Sequence, residues 1–211
     1  MKYIIMCGGQ YDFWEQPKHL TRIKGEAIIE RTIRLLCECG VTDIAISSGN
    51  DLFTQFGVPV LKHENSYHAS RWGLFGDWCD AFYPTDEPTC YIFGDVVFSP
   101  EAIKTIVETE TKKIQFFASA PPFAQEYPKP WAEPFALKVW DTDQLKKAIH
   151  ALKTYDEEGL FNRRPIMWEL WSVITGGPLN DIDYSSYIAI NDYTCDIDGP
   201  DEAAIFDMII K

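Results

Sequence analysis

The chain has 211 residues, 46% of them apolar and 24% charged, the balance of one globular domain, which excludes collagen-like, low-complexity and disordered readings. Its formal net charge of −13 has the wrong sign for neutralising nucleic-acid phosphates along a broad face. A phosphate ligand must then be met locally, by a few Lys or Arg, by backbone N–H groups and by a metal ion.

No run approaches the roughly 18 apolar residues that span a bilayer. The opening stretch from Met1 to Gly9 lacks a signal-peptide cleavage pattern. A cytoplasmic protein with no membrane or nucleic-acid partner is expected. The six cysteines, at 7, 37, 39, 79, 90 and 195, form no CxxC pair and mostly sit in apolar runs, the pattern of reduced, structural thiols.

In chain order, Lys2 to Cys7 reads as a buried strand that ends in Gly8-Gly9. Glu26 to Cys39 has helical apolar spacing and Gly40 as its stop. Asp43 to Ser47 is a second buried strand, so the first 50 residues make a βαβ unit and predict a parallel sheet covered by helices. Gly57 to Leu61 and Cys90 to Phe93 read as strands, with Ser70 to Phe82 a helical segment between them whose aromatics Trp72, Phe75, Trp78 and Phe82 face the core. Ser99 is placed as N-cap, with Pro100 in the first turn, of a helix reaching about Thr109. Ile114 to Ser119 and Phe135 to Trp140 are strands that flank a Pro- and aromatic-rich loop. Thr142 to Thr154 and Ile166 to Ile174 are helices, Tyr187 to Ile190 a strand, and Pro200 to Ile210 a closing helix. With no repeat and no linker, residues 1–211 form one α/β domain, with a small Pro/Trp-rich lid around 120–180.

Three stretches carry chemistry. A glycine loop at the carboxyl end of the first strand, Cys7-Gly8-Gly9-Gln10, is where backbone N–H groups can face a nucleotide phosphate, and Lys18 of Pro17-Lys18-His19-Leu20 can offset its charge. The plain alternative is a turn beside a solvated lysine. Tyr91-Ile92-Phe93-Gly94-Asp95 is an apolar strand whose terminal Asp projects into the same crevice, where hard carboxylate oxygen suits Mg²⁺; otherwise it only turns the chain. In Cys195-Asp196-Ile197-Asp198-Gly199-Pro200-Asp201-Glu202, Asp196 and Asp198 share one face of an extended segment that leads into a capped helix.

Taken in order, Ile4-Ile5-Met6-Cys7-Gly8-Gly9, Pro17-Lys18-His19-Leu20, Ile23-Lys24-Gly25-Glu26-Ala27-Ile28-Ile29, Gly94-Asp95 and Asp196-Ile197-Asp198 resemble the nucleotidyltransferases of the GT-A-like fold, with their sugar-phosphate, phosphocholine and methylerythritol-phosphate members. The resemblance implies a Rossmann-like three-layer sandwich with a mixed, mostly parallel sheet. It also implies Mg²⁺-dependent transfer from a nucleoside triphosphate, CTP as first choice, to a small phosphorylated acceptor such as a sugar phosphate or phosphorylated alcohol. Pyrophosphate is released, in a setting such as surface-polysaccharide biosynthesis. It implies catalytic roles for Lys18, Asp95 and Asp198, with Asp95 and Asp198 on the metal. It places nucleotide contacts at Gly8, Gly9, Gln10 and Gly94, while Ser48 and Gly49, after the second strand, are further candidates for base or ribose.

The loop Gly9-Gln10-Tyr11-Asp12-Phe13-Trp14-Glu15 departs from the family by lacking its second Gly and its Arg. Arg22, or Arg163-Arg164, could replace the missing cation. A glycosyltransferase using a nucleotide sugar, or a binding domain without activity, are the alternatives. Glu133 and Lys138 fall in the region that meets the acceptor phosphate, and Trp131, Trp168 and Trp171 could line an acceptor pocket. His63 and His68, five apart on no clear helix, read as surface or satisfied residues. The oligomeric state is open, a homodimer included.

Overall fold

Tyr3, Ile4, Ile5 and Met6 are all buried. Consecutive strand side chains point to opposite faces, so this strand lies in a sheet covered on both. The computed structural model describes residues 1–8, 15–65, 67–70, 72–76, 78–119, 132–182 and 186–210. Its elements are β1 (Lys2–Met6), β2 (Arg22–Ile23), β3 (Glu26–Ala27), α1 (Ile28–Glu38), β4 (Ile44–Ser47), β5 (Val60–Leu61), β6 (Tyr67–Ser70), β7 (Gly73–Gly76), β8 (Thr89–Phe93) and β9 (Val96–Val97). They continue as α2 (Pro100–Glu108), β10 (Ile114–Ala118), β11 (Pro134–Val139), α3 (Thr142–Glu157), α4 (Met167–Thr175), β12 (Ile188–Ala189), β13 (Cys195–Asp196) and α5 (Pro200–Ile209).

The main sheet runs β12-β10-β11-β8-β1-β4-β5. Its pairs are parallel except where β11 meets β8 and β10. On one face Ile29, Leu35 and Leu36 of α1 and Ala102, Ile103 and Ile106 of α2 pack against Tyr3, Ile5, Ile46 and Ile92. On the other, Leu145, Ala148 and Leu152 of α3 and Met167, Trp168 and Leu170 of α4 pack against Ile4, Tyr91, Phe116 and Leu137. The result is a three-layer α/β sandwich. Much of the 120–180 stretch expected as a lid therefore supplies the third layer, and residues 120–131, with the loop prolines and Trp131, lie outside the described residues.

Local chemistry explains the helix ends. Gly40, at φ +81°, ends α1, where Gly40 N–H donates to Cys37 O and Val41 N–H to Leu36 O. The Ser99 hydroxyl accepts from Ala102 N–H at 2.9 Å ahead of Pro100. One expected element is different. β6 and β7 pair antiparallel, Tyr67 with Gly76 and Ser70 with Gly73, and a 3-10 turn covers Trp78–Ala81. Gly73 and Gly76 each weaken a helix by about 1 kcal/mol, which helical aromatic spacing does not offset. Trp78 and Phe82 still pack on the second core, Phe82 edge-on to Tyr91 at 5.1 Å, whereas the Phe75 and His68 side chains lie outside the described residues.

Lys138 also departs from expectation. Its ammonium donates to Ile106 O, Val107 O and Thr109 O at 2.6–2.9 Å, closing the carboxyl end of α2 rather than meeting an acceptor. Carbonyls in the last turn of a helix lack partners within the helix, and a buried lysine satisfies three of them at once.

Candidate functional site

β4 and β8 flank β1 on opposite sides, and the crevice at the carboxyl ends of β1 and β8 is the switch point where α/β sheets bind ligands. Cys7-Gly8 leaves β1 there and Gly94-Asp95 leaves β8. Because β11 runs against its neighbours, Glu133, just before it, reaches the same rim. β13 pairs with β9, Asp196 opposite Val96, and Ile197 N–H donates to Asp95 O at 3.1 Å. That pairing ties the Asp196–Asp198 segment directly beside Asp95.

These residues line one cavity of about 450 Å³, with Gly8, Lys18, His19, Asp95, Glu133, Asp196 and Asp198 in its wall, together with Trp78, Phe93, Arg164, Ile166 and Met167. Lys18 Nζ stands 2.6 Å from Asp95 Oδ2 and 3.8 Å from Asp198 Oδ1. Burial works against the Lys18 ammonium, but Asp95, then Asp196 and Asp198, hold its pKa above the ordinary lysine value. Burial works against the Asp95 carboxylate too, yet Lys18 and His19 outweigh it, so Asp95 ionises below the usual carboxylate range. Glu133, Asp196 and Asp198 each place a carboxylate oxygen within 4.8 Å of the other two. Three negative charges that close repel strongly in a partly desolvated site. An all-oxygen acidic set of this kind suits a hard divalent cation, so the residues present fit Mg²⁺.

Gly94 makes this junction possible. A Cβ there would lie 2.6 Å from Met6 O and 2.7 Å from Cys7 Sγ, so only glycine lets β8 turn so close to the end of β1. A Cβ at Gly49 would likewise meet His63 O at 2.7 Å. Ser48, 1% exposed, donates its hydroxyl to Cys7 O at 3.0 Å and accepts from Asn50 N–H. Ser48 and Gly94 are thus buried behind the wall that Gly8, Lys18, Asp95 and Asp198 form, while Gly49 is exposed beside His63. Gly9, Gln10 and Asp12 lie outside the described residues.

Three further placements differ from a reading of the sequence alone. Trp168 and Trp171 are core: Trp168 donates to Ala132 O and meets Phe116 edge-on at 5.0 Å. Trp78, expected in the core, also lines the cavity. Of the basic candidates, Arg164 reaches the cavity, whereas Arg163 Nε is bound to Glu169 Oε1 and Arg22 to Gly25 O. The His63 ring is satisfied by Ser47 Oγ at 2.9 Å and Asn65 Oδ1 at 3.1 Å.

His19 sits in a sequence motif that gave it no role, and it is 1% exposed. Burial drops its pKa to about 4, against the opposing field of Asp95. The unfolded chain takes up this proton near pH 6.5 and the folded chain only near 4, so stability falls as pH falls between those values. The expected loss is about 3 kcal/mol, and His19→Gln is expected to remove most of it when unfolding is followed at pH 7 and pH 4. Equal pH slopes for the two proteins would show that His19 is not the group responsible.

No protein-family model matches the chain, and no curated protein matches its sequence. Solved structures do. A Bacillus anthracis protein described as a candidate glucose-1-phosphate thymidylyltransferase superposes with a TM-score of 0.62 at 14% identity, over 99% of this chain and 94% of that one. The inositol-1-phosphate CTP transferase of T. maritima gives 0.54 at 14% identity, over 99% and 95%. A Mycobacterium tuberculosis H37Rv protein gives 0.57 at 12%, over 98% and 96%. The chain shares with these structures a Rossmann-like three-layer α/β fold with a mixed, mostly parallel central sheet. At these identities the likeness is one of fold, and chemistry has to be argued from the cavity.

Proposed function

We propose that this chain is a Mg²⁺-dependent nucleotidyltransferase joining a nucleoside triphosphate, CTP first, to a small phosphorylated acceptor. The observation that supports this reading is the meeting of Lys18, Asp95, Asp196, Asp198 and Glu133 in one cavity at the switch point of the sheet. Gly8, Gly9 and Gln10 are the proposed nucleotide side, with Gly49 after β4 as a further contact and Ser48 and Gly94 supporting that side from behind. An acceptor phosphate oxygen attacks the α-phosphorus, a new P–O bond forms, and the bond to the bridging oxygen breaks with its electron pair leaving on pyrophosphate. Lys18 stabilises negative charge that builds on the α-phosphate, from a position already fixed by Asp95. Asp95 and Asp198 are the proposed Mg²⁺ ligands, joined by Asp196 and Glu133. When bound, Mg²⁺ offsets the charge of carboxylates and phosphates together. The cavity walls orient the two substrates and exclude water.

The test is thermal stability with CTP, UTP, GTP, dTTP and ATP, and with UDP- and GDP-sugars, each with and without Mg²⁺. Triphosphate at 100 times its dissociation constant adds about 2.7 kcal/mol. A Mg²⁺-dependent upward shift with one triphosphate is expected and names the base. A shift with nucleotide sugars alone would move the assignment to glycosyl transfer.

A further inference from the structure

Asp95, Asp196 and Asp198 are set by one short ribbon. β9 follows Asp95, β13 contains Asp196, and the two strands pair antiparallel with Cys195 opposite Val97 and Asp196 opposite Val96. Val97, Cys195 and Ile197 are buried with Ile28 and Phe206, so burial selects the face of β13 that turns inward. Burial leaves the register open. Side chains alternate with a period of two, and a slip of two residues would keep that face inward while carrying Asp196 and Asp198 along the ribbon, out of place beside Asp95. A ladder of two residues resists such a slip weakly. Repulsion among Glu133, Asp196 and Asp198 favours any movement that separates them.

The ribbon is pinned beyond both ends of that ladder. At the cavity end Ile197 N–H donates to Asp95 O at 3.1 Å. At the far end the Ser99 hydroxyl donates to Asp192 Oδ2 at 2.5 Å, Ser99 N–H donates to Thr194 Oγ1 at 3.0 Å, and Thr194 N–H donates to Asp192 Oδ1 at 2.7 Å. Ser99 and Thr194 are each 3% exposed. Because Ser99 also caps α2, this clasp is anchored to a helix. Arg31 of α1 bridges the same end, with Nε donating to Phe98 O at 3.0 Å and Nη2 to Tyr193 Oη at 3.1 Å. Arg31, Ser99, Asp192 and Thr194 all stand outside the cavity wall.

We propose that Asp192 is a positioning residue for the metal site: its carboxylate, shared between Ser99 and Thr194, fixes the register of β13 on β9 and so holds Asp196 and Asp198 close to Glu133 before the cation arrives. The inference rests on the reading of these carboxylates as a Mg²⁺ site and adds the residue that prepares it. One oxygen of Asp192 meets the chain that continues β9 and the other meets the chain that leads into β13, so a single side chain sets their relative position. A partner that orients metal ligands without touching the metal is worth about 10- to 100-fold in metal affinity.

Mn²⁺ binding to the full chain is followed by its paramagnetic signal, alongside amide hydrogen exchange of the metal-free protein. Asp192→Ala is expected to weaken Mn²⁺ by about 10- to 100-fold and to speed exchange at Ile197, while the amides of β1 and β8 exchange as in wild type. Asp192→Asn keeps an acceptor for Thr194 N–H and a polar partner for the Ser99 hydroxyl, and recovers most of the affinity. Thr194→Val, which keeps the shape and removes the acceptor for Ser99 N–H, weakens Mn²⁺ in the same direction and carries the test if Asp192→Ala does not fold. Lower overall stability alone would speed exchange in β1 and β8 as well. The inference is overturned if wild type binds no Mn²⁺, if Asp192→Ala and Thr194→Val bind it as wild type does, or if Asp192→Asn does no better than Asp192→Ala. Asp192-dependent Mn²⁺ binding without pyrophosphate release from any triphosphate would keep the positioning role and remove the nucleotidyl-transfer reading instead.

Discussion

Asp196→Asn combined with Asp198→Asn is expected to lower turnover on the order of 1,000-fold while the domain stays folded. Both carboxylates face Glu133, with oxygens of the three residues within 4.8 Å, and Asn keeps their shape without the charge that a divalent cation requires. Removing two of three crowded negative charges also relieves repulsion, so without Mg²⁺ the double variant is expected to melt at or above the wild-type temperature. Mn²⁺ binding followed by its paramagnetic signal supplies a readout independent of turnover. Unchanged turnover together with unchanged Mn²⁺ affinity would remove these residues from the metal site.

Lys18→Met is expected to lower kcat by about 100- to 1,000-fold, the scale of losing one oriented charge at a phosphoryl centre. It acts on the protein as well as on the reaction. Wild-type Asp95 ionises below the usual carboxylate range because Lys18 and His19 outweigh burial. Its stabilising contribution is therefore present above the ordinary carboxylate pKa and is lost as pH falls through the folded value. Without Lys18, burial dominates and the Asp95 pKa rises. The variant is then expected to be less stable by about 1–3 kcal/mol at pH 7, since the pair is partly exposed, and the difference should shrink in acid. Denaturant titrations at pH 7 and pH 4 check this, and a difference that grows in acid would contradict it.

The strands were legible because burial on both faces writes itself as continuous apolar runs, as in Lys2 to Cys7 and Cys90 to Phe93. Helix starts were legible where capping chemistry is local, as at Ser99-Pro100. The β6–β7 pairing is not legible because the aromatic spacing mimics a helix, while Gly73 and Gly76 carry the contrary signal. Lys18, Asp95 and Asp198 could be named because each ends or follows a recognisable motif, and the structure brings all three to one cavity. Glu133 and Arg164 were weaker candidates for a physical reason. Glu133 reaches the rim only because β11 is antiparallel, and Arg164 only because Glu169 and Trp78 fix its neighbours. Strand direction and clamps between distant residues have no local sequence signature. Lys138 illustrates the converse, since a lysine beside an expected acceptor region instead closes a helix on the opposite face of the sheet.

The most direct test of nucleotidyl transfer is pyrophosphate release from each of the five triphosphates with Mg²⁺ and a phosphomonoester panel. The account predicts pyrophosphate in equal amount to a nucleoside-diphosphate-linked product for one triphosphate and acceptor pair, abolished by chelation. No pyrophosphate from any pair, with nucleoside diphosphate released from a nucleotide sugar, would contradict it.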